Sequence, residues 1–180
     1  MADKIKLDII SDVVCPWCAI GYKRLEKAIS ELGIEDKVDI EWQPFQLNPH
    51  MPKEGQNVQE HITEKYGSSL EQQKLSQERM TDFGGELGFK FDYFDGMKMV
   101  NTRDAHILLD YAKAVGLNAD EAMARLDSDD VRYQVQTKEK YWQSLGVTSV
   151  PTMVFNNKSA LTGAQPVEVF KEVLTELLEK

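Results

Sequence analysis

The sequence predicts an α/β fold in which a β-α-β unit at the start of the chain and a β-β-α unit at its end form one core, with an all-helical block between them. Residues 4–10 and 38–43 alternate polar and apolar side chains on either side of a helical pattern. Two short apolar runs near the end of the chain precede another amphipathic helix. The 180 residues are 42% hydrophobic, which is enough to bury a core and excludes a disordered chain.

The first unit is predicted as strand, helix, strand. Residues 4–10 are typical of a strand with one well-buried face. The helix begins at Pro16, because the first helical turn leaves unpaired the N–H that proline lacks, and Gly33 is a natural end for it. Since the return to residues 38–43 is short, we expect the two strands to be parallel.

The helical block follows a polar, loop-like stretch at residues 53–57. Capping residues and apolar spacing predict five helices. The first two cover residues 58–65 and Ser69 to Glu86, the second with a capping box of Ser69 and Gln72. The others cover 103–115 after a Thr102 cap, 118–126 after an Asn118 cap, and a stretch from Asp127 or Ser128 to Gly146. Residues 88–99 are interpreted as an irregular loop with core aromatics. The side chains expected to be buried in this block include Leu75, Arg79, Met80, Phe83, Leu87, Phe89, Phe91, Tyr93, Phe94, Val131, Val135, Tyr141, Trp142 and Leu145.

The last unit is predicted as strand, turn, strand, helix. Residues 152–155 and 159–162 are short runs suited to strands, and the polar residues 156–158 between them predict a hairpin. Pro166 opens the final helix, whose expected inner face is Val169, Phe170, Val173, Leu174 and Leu177. The core is therefore assigned to residues 1–55 and 147–180, and the helical insertion to residues 56–146.

Charge and hydropathy exclude several classes of function. There are 21 Lys and Arg against 30 Asp and Glu, a net charge of −9, which argues against nucleic acid or an anionic membrane surface as a partner. No apolar run approaches the roughly 20 residues that span a bilayer. The first six residues lack the apolar segment of a signal peptide, so we expect a cytoplasmic protein.

The two cysteines, Cys15 and Cys18, indicate chemistry rather than stabilisation, because a bridge between them would close almost no chain. Thiolate is the reactive form of cysteine. Cys15 stands at the start of the first helix, where unpaired N–H groups and the helix dipole favour an anion. Cys18 lies one turn further, on the same side and on the apolar face. We expect Cys15 to be the nucleophile and Cys18 to resolve the mixed disulfide.

A zinc site is the alternative interpretation of the pair. Structural zinc takes about four ligands, and the only histidines are His50, His61 and His106, none of them in a paired spacing. We therefore predict redox chemistry and no metal. Asp12, just before the thiols, is interpreted as a turn or cap residue, with proton relay as the alternative.

A second motif, Ser149-Val150-Pro151-Thr152, places a proline directly before a strand. Only about 5–6% of X–Pro bonds in folded proteins are cis, so a cis loop is predicted here because the cysteine pair accompanies it. The backbone of Val150 would then pair with an extended substrate near the thiols. Trp17 is expected to be an exposed aromatic that contacts substrate, with packing against the insertion as the alternative, and Pro16 is assigned to the same surface.

Four segments carry a family resemblance: residues 11–18 (Ser-Asp-Val-Val-Cys-Pro-Trp-Cys), 101–106 (Asn-Thr-Arg-Asp-Ala-His), 146–152 (Gly-Val-Thr-Ser-Val-Pro-Thr) and 163–166 (Gly-Ala-Gln-Pro). The chain resembles the DsbA family of thioredoxin-fold proteins, and within it the FrnE-like branch, which is related to the 2-hydroxychromene-2-carboxylate isomerases. The resemblance implies a thioredoxin-like core with an all-helical insertion. It also implies the roles given above for both cysteines and a cis-proline at Pro151.

The resemblance also sets expectations for individual positions. His106 would line the cleft, and a plain core or surface histidine is the alternative. The isomerases typically have serine at the position of Cys15, so the two cysteines weigh against that branch. Relatives usually carry an extra helical stretch between the positions of Tyr111 and Ala114, so either the insertion is shortened in this chain or a segment is missing from the sequence.

The leading hypothesis is a thiol–disulfide oxidoreductase that acts on protein or small-molecule thiols and disulfides. No bound cofactor is expected, and glutathione is expected as a redox partner. The alternatives are a glutathione-dependent isomerase or transferase and a chaperone-like binding module. A cytoplasmic location would supply a reducing pool, which favours reductase or isomerase activity.

Overall fold

A computed structural model describes residues 4–115 and 129–179 of the chain. The main sheet has four strands: β1 (Ile5–Ser11), β2 (Val38–Pro44), β5 (Thr152–Phe155) and β6 (Ser159–Thr162), in the order β2-β1-β5-β6. A separate pair is formed by β3 (Gln56–Asn57) and β4 (Lys98–Met99). As predicted, β1 and β2 are parallel, and β5 and β6 form an antiparallel hairpin.

The helices that the structure describes are α1 (Pro16–Leu32), α2 (Val58–Tyr66), α3 (Leu70–Glu86), α4 (Arg103–Val115), α5 (Asp129–Ser144) and α6 (Val167–Leu178). A 3-10 turn covers Glu35–Lys37. Gly33 ends α1 with φ of 63°, and Ser69 and Gln72 form the predicted capping box of α3. The helix predicted over 118–126 and the helix start predicted at Asp127 or Ser128 lie outside the described residues. Within the described ranges, no helix is both long and apolar enough to cross a membrane.

One side of the sheet packs against α1 and α6. Alternation along the strands places Leu7, Ile9, Met153 and Phe155 on this side, and all are fully buried. They meet apolar side chains of the two helices, of which the fully buried ones are Leu25, Ala28, Phe170 and Leu174. This core fixes the direction of α1, and therefore places the start of that helix at the carboxyl ends of β1 and β2.

The other side of the sheet packs against α5. Ile10 and Val154 point to this side and meet Phe45, Trp142 and Val147. Trp142, on α5, is 3% exposed, so the last helix of the predicted insertion is part of the packing of the sheet. The division into residues 1–55 with 147–180 and residues 56–146 stays a prediction about chain organisation.

Several predicted details of the helical block are wrong. Residues 56–57 and 98–99, predicted as loop, pair as β3 and β4. In α3 the buried face is formed by Gln73, Met80 and Gly84, so Leu75 and Arg79 lie on the exposed side. The amide of Gln73 can be buried because it donates hydrogen bonds to Gln59, Thr63 and Ser68.

The exposed aromatics are a second correction. Phe89 and Phe94 are 40% and 66% exposed, because the loop that follows α3 covers only one side of that helix. In α5 the buried stripe has a spacing of four and three residues, through Val135, Glu139 and Trp142. This stripe leaves Tyr141 and Leu145 in solvent.

Candidate active site

Both cysteines lie where β1 leads into α1. Cys15 is the residue before the first helical residue, with φ −91° and ψ 107°, and Pro16 follows it in the first turn. Its N–H donates to the Asp12 carbonyl at 3.0 Å, and the Cys18 N–H donates to the Cys15 carbonyl at 3.0 Å. The thiols are unbridged, and Cys15 is 9% and Cys18 3% exposed. The predicted difference in burial between them is confirmed.

The pKa values of the two thiols shift in opposite directions from the ordinary cysteine value. The Cys18 thiol, donating a hydrogen bond to Cys15, is the largest cause that lowers the pKa of Cys15. The N–H groups of Cys18 and Trp17 lower it further, against burial and the Asp12 carboxylate. The same hydrogen bond, together with burial, raises the pKa of Cys18 far above its ordinary value of 9.0. This hydrogen bond favours negative charge on Cys15 over negative charge on Cys18.

The loop before β5 lies directly beside Cys15. The Val150–Pro151 peptide is cis, as predicted, and the Val150 carbonyl is 3.9 Å from Cys15 Sγ. Pro151 is buried against α1 at Gly21, where an added Cβ would lie 3.1 Å from the Pro151 ring. The absence of a side chain at Gly21 therefore lets the loop approach the helix that carries the thiols.

Asp12 and His106 form a buried pair next to the cysteines. His106 Nε2 lies 3.3 Å from Asp12 Oδ1 and 3.0 Å from the Phe45 carbonyl, and the second Asp12 oxygen accepts the Leu47 N–H at 2.7 Å. Because both neighbours of Nε2 are acceptors, this nitrogen carries a hydrogen. His106 is 5% exposed and also lines the cleft, so it is both a buried histidine and a residue of the cleft wall.

Trp17 and Pro16 are half-buried rather than exposed. The Trp17 ring lies 6.1 Å, centroid to centroid, from Phe83 on α3, and the Arg24 guanidinium lies over the same Phe83 ring at 4.7 Å. The alternative expectation for Trp17, packing against the insertion, is therefore confirmed. This contact fixes the first turn of α1 against α3.

A cavity of about 650 Å³ opens between α1, the carboxyl ends of β1 and β2, and α4. Both cysteines are in its wall. Tyr22 and Trp42 form an aromatic pair with centroids 4.8 Å apart, and Leu109 faces them from α4. His106, Asp12 and Asp110 supply the polar part, and Asp110 is ion-paired with Lys138 of α5.

Glu139 lies behind this site, where α5 meets the loop after β2. It is 8% exposed, and the Gln46 amide donates to both of its oxygens, at 2.9 and 3.0 Å. Burial raises the pKa of Glu139, opposed by the Gln46 hydrogen bonds and by the charges of His106 and Arg103. The backbone of the loop after β2 contacts Asp12 and His106. The buried Gln46–Glu139 hydrogen bonds therefore attach this loop to α5.

Sequence reasoning missed the cavity wall and the Glu139 contact. Trp42 is a large aromatic near the carboxyl end of a strand predicted to be parallel to the one that leads to Cys15, and this was the available signal. Leu109 follows His106 on α4 by one turn. Nothing in the pattern of α5 distinguishes Glu139 from its exposed neighbours. Within residues 4–115 and 129–179, no group of three or more His, Cys, Asp or Glu side chains is placed to hold a metal ion.

Comparisons with known proteins agree with this architecture. The family described as the DSBA-like thioredoxin domain matches residues 6–114 and 98–175. The uncharacterized protein YwbO of Bacillus subtilis (strain 168) is 26% identical over 204 residues, covering 98% of each chain.

Solved structures are similar over nearly the whole length. The probable DsbA oxidoreductase SCO1869 from Streptomyces coelicolor has a TM-score of 0.90 at 28% identity, over 98% of this chain and 91% of that one. A 2-hydroxychromene-2-carboxylate isomerase has a TM-score of 0.69 at 14% identity over 96% of each chain, a likeness of fold alone. With the two thiols at the start of α1 and the cis Val150–Pro151 loop beside them, this chain belongs to the DSBA-like thioredoxin family.

Proposed function

We propose that the protein is a thiol–disulfide oxidoreductase in which Cys15 is the nucleophile and Cys18 the resolving thiol. The observation that carries the proposal is the pair of free, adjacent thiols whose pKa values move in opposite directions. Exchange needs one thiolate to attack and a second thiol, protonated until then, to displace the substrate. Cys15 and Cys18 fit these two roles.

The cis loop supports the same assignment by its position. The Val150 carbonyl lies 3.9 Å from Cys15 Sγ, and Cys15 itself lines the cavity. Contacts of Val150 and Pro151 with an extended substrate, and of Pro16, Trp17 and His106 with any substrate, stay predictions. So do glutathione as a redox partner, the FrnE-like branch and a cytoplasmic location.

Reduction of insulin with variants of the two cysteines tests the proposal. Cys15→Ser is expected to lower the rate to that of the chemical reductant alone. Cys18→Ser is expected to accumulate a mixed disulfide between Cys15 and the substrate, visible as an added mass in mass spectrometry. Ser30→Ala, on the exposed side of the same helix, is the matched control and retains the full rate.

Full activity of Cys15→Ser would overturn the proposal. A protein that prevents aggregation equally well with both cysteines changed to alanine, and that shows no exchange, would instead be a chaperone-like binding module.

A further inference from the structure

The apolar and charged side chains that line the cavity beside the thiols restrict the class of substrate that can bind there. We propose that it selects low-molecular-weight disulfides whose substituents are aromatic and uncharged, in preference to disulfides that carry carboxylates. This inference rests on the proposed function, because Cys15 must react with the bound disulfide.

Part of the cavity wall is apolar and accessible. Trp42 is 38% exposed and Leu109 is 53% exposed, although both are large apolar side chains at the rim of a cavity. Tyr22 and Trp42 both line the cavity, and their rings are inclined to each other by 56°. Aromatic groups prefer such tilted or offset contacts, and burying them here removes both the ligand and the wall from water.

The charges of the described cavity wall are unfavourable to an anion. Asp12 and Asp110 contribute carboxylates, and the described wall has no Lys or Arg side chain. Lys138 is ion-paired with Asp110, and His106 Nε2 is shared between Asp12 and the Phe45 carbonyl. A substrate carboxylate would lose water and meet like charges, and the described part of the wall offers it no Lys or Arg side chain.

The size and position of the cavity suit a small molecule. Its volume of about 650 Å³ lies within the range of about 300–1,000 Å³ typical of small-molecule sites. Cys15 and Cys18 line it together with Trp42 and Leu109, so a disulfide bound there would occupy the same cavity as the thiols.

The reaction balances without a further reagent. The Cys15 thiolate attacks one sulfur of the substrate disulfide, forming a mixed disulfide and releasing one aromatic thiolate. Cys18 then loses its proton to solvent and attacks Cys15 Sγ, which forms the Cys15–Cys18 disulfide and releases the second thiolate. Two electrons pass from the protein dithiol to the substrate, and both released thiolates can take up a proton.

The test is a single-turnover measurement with the reduced full-length protein. The probes are dithiodipyridine (aromatic, uncharged), dithiobis(nitrobenzoate) (aromatic, two carboxylates), bis(hydroxyethyl) disulfide (aliphatic, uncharged), glutathione disulfide, and insulin as a polypeptide. Each rate is divided by the rate of N-acetylcysteinamide with the same disulfide, which removes differences in intrinsic reactivity. We expect dithiodipyridine to exceed each of the other small disulfides by about tenfold or more after this correction.

Variants connect the preference to the cavity. Trp42→Ala is expected to lower the corrected rate with dithiodipyridine about tenfold and to leave insulin unchanged. Asp110→Asn is expected to raise the rate with dithiobis(nitrobenzoate) several-fold. Asp36→Asn is the matched control, because Asp36 is exposed at the opposite end of the sheet, and it should change neither rate.

Equal corrected rates for the charged and uncharged aromatic probes would overturn the charge argument. An unchanged rate in Trp42→Ala would overturn the role of the apolar wall, and an equal loss with insulin would overturn the restriction to small molecules. Absence of exchange with all five disulfides would be a failure of the proposed function itself.

Discussion

The pKa values of Cys15 and Cys18 shift in opposite directions because each cysteine is the largest influence on the other. The Cys18 thiol donates its hydrogen bond to Cys15, and this bond stabilises charge on Cys15 and opposes charge on Cys18. The N–H groups of Trp17 and Cys18, in the first turn of α1, also lower the pKa of Cys15. In the proposed function these contacts favour Cys15 as the attacking thiol.

Removing the donor at position 18 should raise the pKa of Cys15. We expect Cys18→Ala to show thiolate absorbance at a higher pH than wild type, because the largest cause of the lowered pKa is lost. Cys18→Ser keeps a hydroxyl donor, so its shift should be smaller than that of Cys18→Ala. Ultraviolet titration of the reduced proteins measures both shifts. A Cys15 pKa that stays constant or falls in Cys18→Ala would contradict this account.

Glu139 predicts a dependence of stability on pH. Burial raises its pKa above the ordinary 4.5, so the folded state binds this proton more tightly than the unfolded state. The stabilisation is present below the unfolded-state value and is lost as the pH rises through the folded-state value. Glu139→Gln, neutral at all pH values, should therefore be more stable than wild type at neutral pH, with a smaller difference near pH 4.5.

Urea unfolding at several pH values measures this difference, with Glu172→Gln on the exposed side of α6 as the control. The groups around Glu139 are Gln46, His106, Arg103 and Asp12. If Glu139→Gln is less stable than wild type at neutral pH, the ionised carboxylate must gain more from Gln46, His106 and Arg103 than it loses by burial.

At the scale of elements, two adjacent glycines in α3 have different roles. A Cβ at Gly84 would lie 2.5 Å from the Phe89 carbonyl oxygen and 2.9 Å from the Phe91 ring, because the chain folds back over the helix there. A Cβ at Gly85 would meet nothing within 4 Å. Gly84 is therefore required by the close approach of the loop, whereas Gly85 only adds flexibility to the unfolded chain.

Alanine at each position tests this difference. Gly85→Ala should stabilise the protein by about 0.5–1 kcal/mol, the gain of helix propensity. Gly84→Ala should destabilise it by about 1–3 kcal/mol, because the loop must move. Thermal or urea unfolding of the two variants gives the comparison. Equal effects of the two substitutions would show that the loop does not pack on α3.

Elements with local signals were predictable, and elements defined by distant contacts were not. The Ser69–Gln72 capping box predicts the start of α3, and Gly33 predicts the end of α1, each from a few neighbouring residues. β3 and β4 have two residues each and exist only because segments about 40 residues apart meet, so no local period predicts them. Buried Gln73 has the same origin, since its partners come from α2 and the loop after it.

The candidate site divides in the same way. Cys15 and Cys18 follow from spacing and from their place at a helix start, and Pro151 follows from its pairing with them. Trp42 and Leu109 belong to elements far apart in the chain, and only the three-dimensional fold brings them to one cavity. Reactive residues at a helix end can be predicted from the sequence, whereas the shape of a substrate cavity depends on how distant elements pack.

At the scale of the whole molecule, the sheet carries a core on each side, and the two cores differ in where their helices come from. α1 and α6, on one side, belong to the predicted thioredoxin-like core. On the other side Trp142, from the predicted insertion, packs with Ile10 and Val154 of the sheet. Because this contact includes β1, which leads directly to Cys15, we expect the helical insertion and the redox site to unfold together.

Trp142→Ala tests this coupling. The substitution removes a large side chain that is 3% exposed, and should cost about 3–5 kcal/mol of unfolding free energy. Tyr133→Ala, on the same helix but 71% exposed, is the control and should change stability by less than about 0.5 kcal/mol. In urea, circular dichroism reports the helices, and the alkylation rate of Cys18, which is 3% exposed, reports unfolding of the site. The two curves should coincide in wild type and shift together to lower urea in Trp142→Ala, since β1 is shared by both. Helix loss that precedes exposure of the thiols would show instead that the insertion opens on its own, and that the packing of Trp142 against the sheet does not couple the two parts.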